Sequence, residues 1–356
     1  MNSKLKNWIA LSIIPQIVLV KFIGLYPEFV ENYYSEGFYP IISGVFRVVL
    51  GWLPFSVGDI IYASLIILAI RYLVVNRTHI KDNLKPFLRD IVLVLSVTYF
   101  TFHFMWGFNY YRVPLSQKLN LKDSHTRVEL LEFTEKLIDK TNGLQYEITS
   151  DTSQMVIIPY DQKEIFQKTL EGYSALETRY PFLSYENSSL KKSLFSTMLT
   201  YMGYGGYLNP FTNEAQVNSK IPNFRFPVIT GHEIGHQIGY SAENEVNFIG
   251  FLVTAYNKDP YFKYSALAYA LSYSLSEIRS KDEAKFQELY SRLHIGVQKN
   301  YEELRKFWLA YKNPLEPVFK SIFNSFLKAN NQEEGIKSYG RIVTLLVTYD
   351  AKYPLE

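Results

Sequence analysis

Apolar residues are spread unevenly along this chain: before residue 113 they run in three long blocks, and after it they recur at helical spacing. A helix needs roughly 20 mostly apolar residues to cross the hydrocarbon core of a bilayer. The first block, Trp8 to Tyr26, is interrupted by Pro15 and Lys21. The second, Val57 to Val75, is the cleanest, with Arg71 late enough to reach an interface. The third, Ile91 to Phe108, ends in Tyr99, Phe100, Phe102, Phe104 and Trp106, the aromatic girdle of a membrane boundary. Because Lys21 breaks the first apolar region and no small-x-small site follows, it reads as an anchor rather than a cleaved signal. Residues 38–56 are apolar too, and read as a re-entrant or interfacial helix whose insertion would invert the topology.

Cationic loops stay on the cytoplasmic side. Lys4 and Lys6 precede the first block, and Arg77, Lys81, Lys85 and Arg89 lie between the second and third. The loop after the first block carries Glu28, Glu31 and Glu36 instead, with Arg47 as its main cation. The N-terminus is therefore expected inside and everything after Arg112 outside, in the periplasm or an equivalent compartment.

From Pro114 onward the periodicity predicts mainly helix. Residues 127–140 form one helix, stopped by Asn142-Gly143, and further helices are expected over about 161–177, 187–202, 260–277, 281–311, 314–329 and 335–350. Strand signals occur at Gln154 to Pro159 and within Gly205 to Asn218, and the part around Glu214 to Asn218 reads as an edge where an extended peptide could pair. The expected fold is mainly α, with N-terminal transmembrane helices in residues 1–112. A mostly helical domain with a small edge strand or sheet follows in 113–356.

Composition narrows the chemistry. A formal net charge of +3, with no basic run interleaved with aromatics, excludes a nucleic-acid partner. The absence of Cys means that any metal must be held by imidazole and carboxylate. Mean hydropathy near zero, with 29 Tyr and 25 Phe, fits a chain in contact with a lipid bilayer.

The chemistry-bearing segment is His-Glu-Ile-Gly-His at 232–236. His232 and His236, four apart on a helix, place both imidazoles on one face, as a single zinc ion requires, and Glu233 beside them can reach a zinc-activated water. Pro227 suits the first turn of that helix and Gly239 a left-handed end. A catalytic zinc takes a third protein ligand. Ser241 reads as the N-cap of a following helix on which two carboxylates compete. Glu243 shares a face with Asn247 and Gly250, and Asn247 could orient a ligand histidine from behind. Glu245, the alternative third ligand, lines up with Phe248, Ile249 and Leu252.

This segment resembles gluzincin zinc peptidases, whose His-Glu-x-x-His helix is followed by a Glu-x-x-x-Asp helix. Here Asn247 stands in place of the Asp and the gap from His236 is shorter. The short gap with Gly239 is also similar to metzincins, although Ala242 occupies the place of their third His. Taken with the three spans, Asn209-Pro210-Phe211-Thr212-x-Glu214-Ala215 and the closing Ser338-Tyr339-Gly340-Arg341, nearly the whole chain resembles the bacterial domain-of-unknown-function 3810 family. The resemblance implies a multi-pass protein of the bacterial inner membrane with a zincin-like, extracytoplasmic metallopeptidase-like domain over 113–356, and names no substrate.

The expected activity is zinc-dependent hydrolysis of a peptide or protein substrate by one Zn2+, with Glu233 as the base. Tyr269, Tyr273, His294, Tyr339 and Arg341 are candidate donors to the oxyanion. One rival is a non-catalytic zinc-binding membrane sensor or assembly protein with a closed shell of four protein ligands. Another is hydrolysis of a small non-peptide amide by the same residues.

Overall fold

The computed structural model describes residues 2–332, 335 and 341–355. Among these residues, three helices are long and apolar enough to cross a membrane: Ser3–Ile23, Val57–Val75 and Leu84–Met105. The second has the predicted bounds. The first and third begin earlier than the hydropathy implied, because polar residues of the two helices pair with each other. Lys6 Nζ lies 2.8 Å from Asp90, and Gln16 Nε2 donates to Ser96 Oγ at 3.0 Å. Residues 38–56 contain the helix Tyr39–Gly51, entered through a π-helical turn at Val30–Phe38. Its 13 residues make about 20 Å at 1.5 Å each, short of the hydrocarbon thickness.

The remainder is mainly helical around one small sheet. Strands β1 (Leu190–Lys192), β2 (Gly206–Asn209) and β3 (Glu214–Val217) run in the order β1-β3-β2, with β1 parallel and β2 antiparallel to β3. The expectation that Glu214 to Asn218 forms an edge is therefore corrected: β3 is paired on both sides, and β1 and β2 are the edges. The helices Arg127–Thr149, Gln162–Glu177, Phe226–Gln237, Glu243–Ala255, Pro260–Lys281 and Ile342–Lys352 share a core that includes Leu137, Leu176, Ile234, Phe248, Leu252, Leu271 and Leu346.

Several sequence expectations fail for local reasons. Gly143 does not stop its helix, which runs on to Thr149 and ends at left-handed Ser150; burial of Leu137, Ile138, Thr141 and Gln145 outweighs a glycine cost of about 1 kcal/mol. The extended segment 154–159 joins no strand, because the Asn300 side chain takes both Val156 backbone groups, at 3.1 and 3.0 Å. Residues 187–202 divide into β1 and the helix Ser196–Met202, and 281–311 breaks into Glu283–Ser291 and Ile295–Ala310. Ser241 caps no helix; its hydroxyl donates to Asn109 O. Part of the expected 335–350 helix, and Ser338 to Gly340 of the closing motif, lie outside the described residues.

The Asn209-Pro210-Phe211-Thr212 stretch docks the membrane-side helices onto the sheet. Asn209 Oδ1 accepts from Phe211 and Thr212 N–H, forming the turn that leads into β3. Glu214, at the head of β3, accepts the Val57 and Gly58 N–H groups at 3.0 and 2.6 Å and so caps the second span. Asp59, one residue on, accepts from Ser193 Oγ and Leu194 N. Nearby, buried Arg112 pairs with Glu31 through two bonds of 3.0 and 2.7 Å and donates to Gly239 O at 2.9 Å. Arg112→Met strips Glu31 of a buried partner and should lower stability by about 3 kcal/mol. Thermal unfolding of the detergent-solubilised chain would show this, with most of the loss recovered in Arg112→Met/Glu31→Met; equal stability of wild type and single variant would refute it.

Candidate metal centre

The helix Phe226–Gln237 carries His232, Glu233 and His236, whose ligand atoms all lie within 4.8 Å of one another. Pro227 sits in its first turn, and past its end Gly239 takes φ +95°. That left-handed residue turns the chain back, so that Tyr240 O comes to lie 2.8 Å from His236 Nδ1. The helix Glu243–Ala255 then crosses the first one closely. A Cβ on Gly250 would lie 2.6 Å from Val228 O and 2.9 Å from His232 N, and one on Gly231 would lie 3.1 Å from Gly250 Cα.

This close crossing sets Glu243 and Asn247 over the histidines. His232 Nε2 lies 3.6 Å from Glu243 Oε2, and His236 Nε2 lies 3.7 Å from Glu243 Oε1. Asn247 Oδ1 faces His232 Nδ1 at 2.8 Å and accepts from the Tyr269 hydroxyl at 2.6 Å. An oxygen acceptor there places the imidazole proton on Nδ1 and leaves the Nε2 lone pair toward Glu243. Tetrahedral zinc with ligands at 2.0–2.1 Å sets neighbouring ligand atoms about 3.3 Å apart. The donors are of the right type and nearly at that spacing, so His232, His236 and Glu243 fit a zinc ion. Glu245 is placed elsewhere: its Oε1 accepts the Leu115 N–H at 2.7 Å, beside Arg112.

Burial, followed by the charge of Glu243, pushes the Glu233 carboxyl well above its ordinary range. Its Oε2 is buried without a hydrogen-bond partner among the described residues. Burial and the neighbouring His236 lower the His232 pKa, which keeps its imidazole neutral, the form that binds metal. Burial raises Glu245 to about 7 despite its bond to the Leu115 N–H.

The centre opens into a cavity of about 790 Å³. Of the candidate oxyanion donors, Tyr269 and Tyr273 line it, with the Arg225 guanidinium 4.2 Å over the Tyr269 ring. His294 does not; its Nδ1 faces Gln145 Oε1 in the core behind. Arg341 is exposed and outside the lining, and Tyr339 lies outside the described residues.

Sequence reasoning missed three neighbours. Trp106 Nε1 donates to His236 O at 3.2 Å, and the Tyr39 hydroxyl donates to Gln237 O at 2.8 Å, so membrane-side residues cap the end of the metal helix. Gly206 on β2 lies so near Glu233 that a Cβ there would approach Glu233 Oε1 to 2.4 Å. The Gly205-Gly206 pair was the available signal for this close approach.

Residues 34–347 match the model of a family described as Protein of unknown function (DUF3810). No curated protein and no solved structure matches the chain.

Gly250→Ala should force the two helices apart and weaken zinc binding at least tenfold in a chelator-competition titration. Gly143→Ala, where an added methyl meets nothing within 4 Å, should leave the affinity unchanged. Equal affinity in the two variants would show that the close crossing does not set the site.

Proposed function

The chain belongs to the DUF3810 family, and from its own residues we propose that it is a membrane-anchored zinc metallopeptidase. The observation that carries this reading is the approach of one buried carboxylate, Glu243, to both Nε2 atoms of the His-Glu-x-x-His helix, at 3.6 and 3.7 Å. His232, His236 and Glu243 would hold the ion, and Asn247 would orient His232 from behind. When bound, zinc supplies a Lewis acid and lowers the pKa of water at the site toward neutrality.

The chain's own groups supply the rest. Glu233, with its raised proton affinity and an oxygen that has no partner among the described residues, takes a proton from water and returns it to the leaving amine. Tyr273 reaches the cavity with its hydroxyl 3.4 Å from that of Tyr269, and is the better placed oxyanion donor because the Tyr269 hydroxyl is committed to Asn247. Edge strand β2 offers the Gly206 and Leu208 backbone groups to an extended substrate. In its antiparallel ladder, Gly205 and Asn209 carbonyls bond toward β3, so the alternate residues face away.

Three hydrophobic helices with the cationic loop between the second and third support a multi-pass placement in the inner membrane with the metal centre on the outer side. The buried Glu233 oxygen, unbonded among the described residues, favours turnover over a structural zinc, which needs no such group.

Zinc content and peptide-library hydrolysis of the full chain test the assignment together. Wild type should hold one zinc and cleave. Glu233→Gln should keep the metal and lose at least a hundredfold in rate, Glu243→Gln should lose the metal, and Glu245→Gln should keep both metal and cleavage. Metal loss in Glu245→Gln with retention in Glu243→Gln would reverse the third-ligand assignment, and a folded wild type without zinc would end the enzyme reading.

A further inference from the structure

The cavity over the metal centre does not end at the sheet. It passes Tyr207, whose ring stacks on Tyr62 at 6.4 Å, and reaches Leu65 and Ile66 on the second span. These residues lie eight and nine positions into that helix, about 12 Å along it. They are 56% and 52% exposed, on a helix apolar enough to cross a bilayer. Phe102 of the third span lines the same cavity.

The opposite wall is the helix Glu316–Ala329. Phe319, Ile322, Phe323 and Phe326 line the cavity, with Ile322 still exposed, while Lys320, Ser321, Ser325 and Lys328 are exposed on the rest of the helix, so its apolar face is the one along the groove. It is tied to the membrane side: Phe326 stacks edge-on against Phe102 and Tyr110, and Lys21 Nζ donates to Ala329 O at 3.1 Å. The centre thus opens along an apolar groove between a lipid-facing span and an amphipathic helix at the interface.

We propose that the substrate is an acylated peptide, its backbone laid along β2 beside Glu233 and its fatty acyl chain along Leu65, Ile66 and Phe102. This rests on the peptidase reading and names its substrate class. Beyond the carbonyl that joins it to the peptide, a fatty acyl chain has no N–H or C=O, so apolar walls leave nothing in its tail unsatisfied. A transmembrane segment entering the same groove would have to unwind to reach Glu233, stranding backbone groups among Leu65, Ile66 and Phe102. Only the part beside Gly206 and Leu208 finds backbone partners, which matches a polar peptide joined to a hydrocarbon tail.

The test uses the full zinc-loaded chain in nanodiscs, with one mixed-sequence hexapeptide library bearing either N-terminal acetyl or N-terminal palmitoyl groups. Wild type should show at least tenfold higher kcat/KM for the palmitoylated form. In Glu233→Gln, a palmitoyl chain carrying a mid-chain diazirine should cross-link to Leu65, Ile66 and Phe102, competed by unlabelled palmitoyl peptide but not by the same peptide fused to a transmembrane helix. Cross-links spread evenly over lipid-facing residues such as Leu68 and Val94, with both library forms cleaved equally, would overturn the acyl groove and leave the peptidase. Stronger competition by the helix-anchored peptide would overturn the acyl chain as occupant. Concentrated cross-links with neither form cleaved would overturn the peptidase reading and leave an acyl-binding groove.

Discussion

Everything at the metal centre depends on how closely two helices cross at Gly231 and Gly250. An added Cβ on Gly250 would fall 2.9 Å from the His232 backbone nitrogen, so no larger residue fits without separating the axes. Only at this separation do Glu243 and Asn247, projecting from the second helix, reach the two faces of His232. The carboxylate meets Nε2 and the amide oxygen meets Nδ1. One contact would supply a ligand and the other fixes the tautomer that lets the histidine act as one. A single packing constraint therefore serves both donor geometry and protonation state.

The membrane-side helices take part in the same arrangement. The carbonyls of His236, Gln237 and Gly239, at the end of the metal helix, accept from Trp106, Tyr39 and Arg112 in turn. In the other direction, Glu214 of β3 caps the start of the second span. A fragment beginning after Arg112 would leave the Gln237 and Gly239 carbonyls without those partners and strip Glu214 of its two backbone donors from the span, with a cost of about 1 kcal/mol or more for each buried group left unpaired. Experiments on the centre accordingly belong to the full chain.

Much of this was legible in the sequence where one physical signal dominated. The uninterrupted apolar run fixed the bounds of Val57–Val75, and the turn chemistry of Gly239 marked where the metal helix ends. The small face of Glu243, Asn247 and Gly250 told which side of the second helix could approach the histidines. The failures come where tertiary partners replace local ones: Asn300 stands in for a strand beside Val156, and Ser241 bonds Asn109 instead of capping its helix. The position of β3 was misread because a strand's neighbours are set by pairing across the fold, and β1 was hidden in a segment with helical periodicity. No pattern within residues 1–112 announced that Tyr39, Trp106 and Arg112 end at the metal helix, since such contacts span more than 120 residues.

The central claim is that this chain holds a metal with a position left open for chemistry. X-ray absorption at the zinc edge of the loaded full chain, recorded with and without a hydroxamate chelator, tests it most directly. The expected shell is two imidazoles and oxygen donors, and it changes when hydroxamate binds. A shell of four protein ligands, unaltered by the chelator, would contradict it and make the zinc structural.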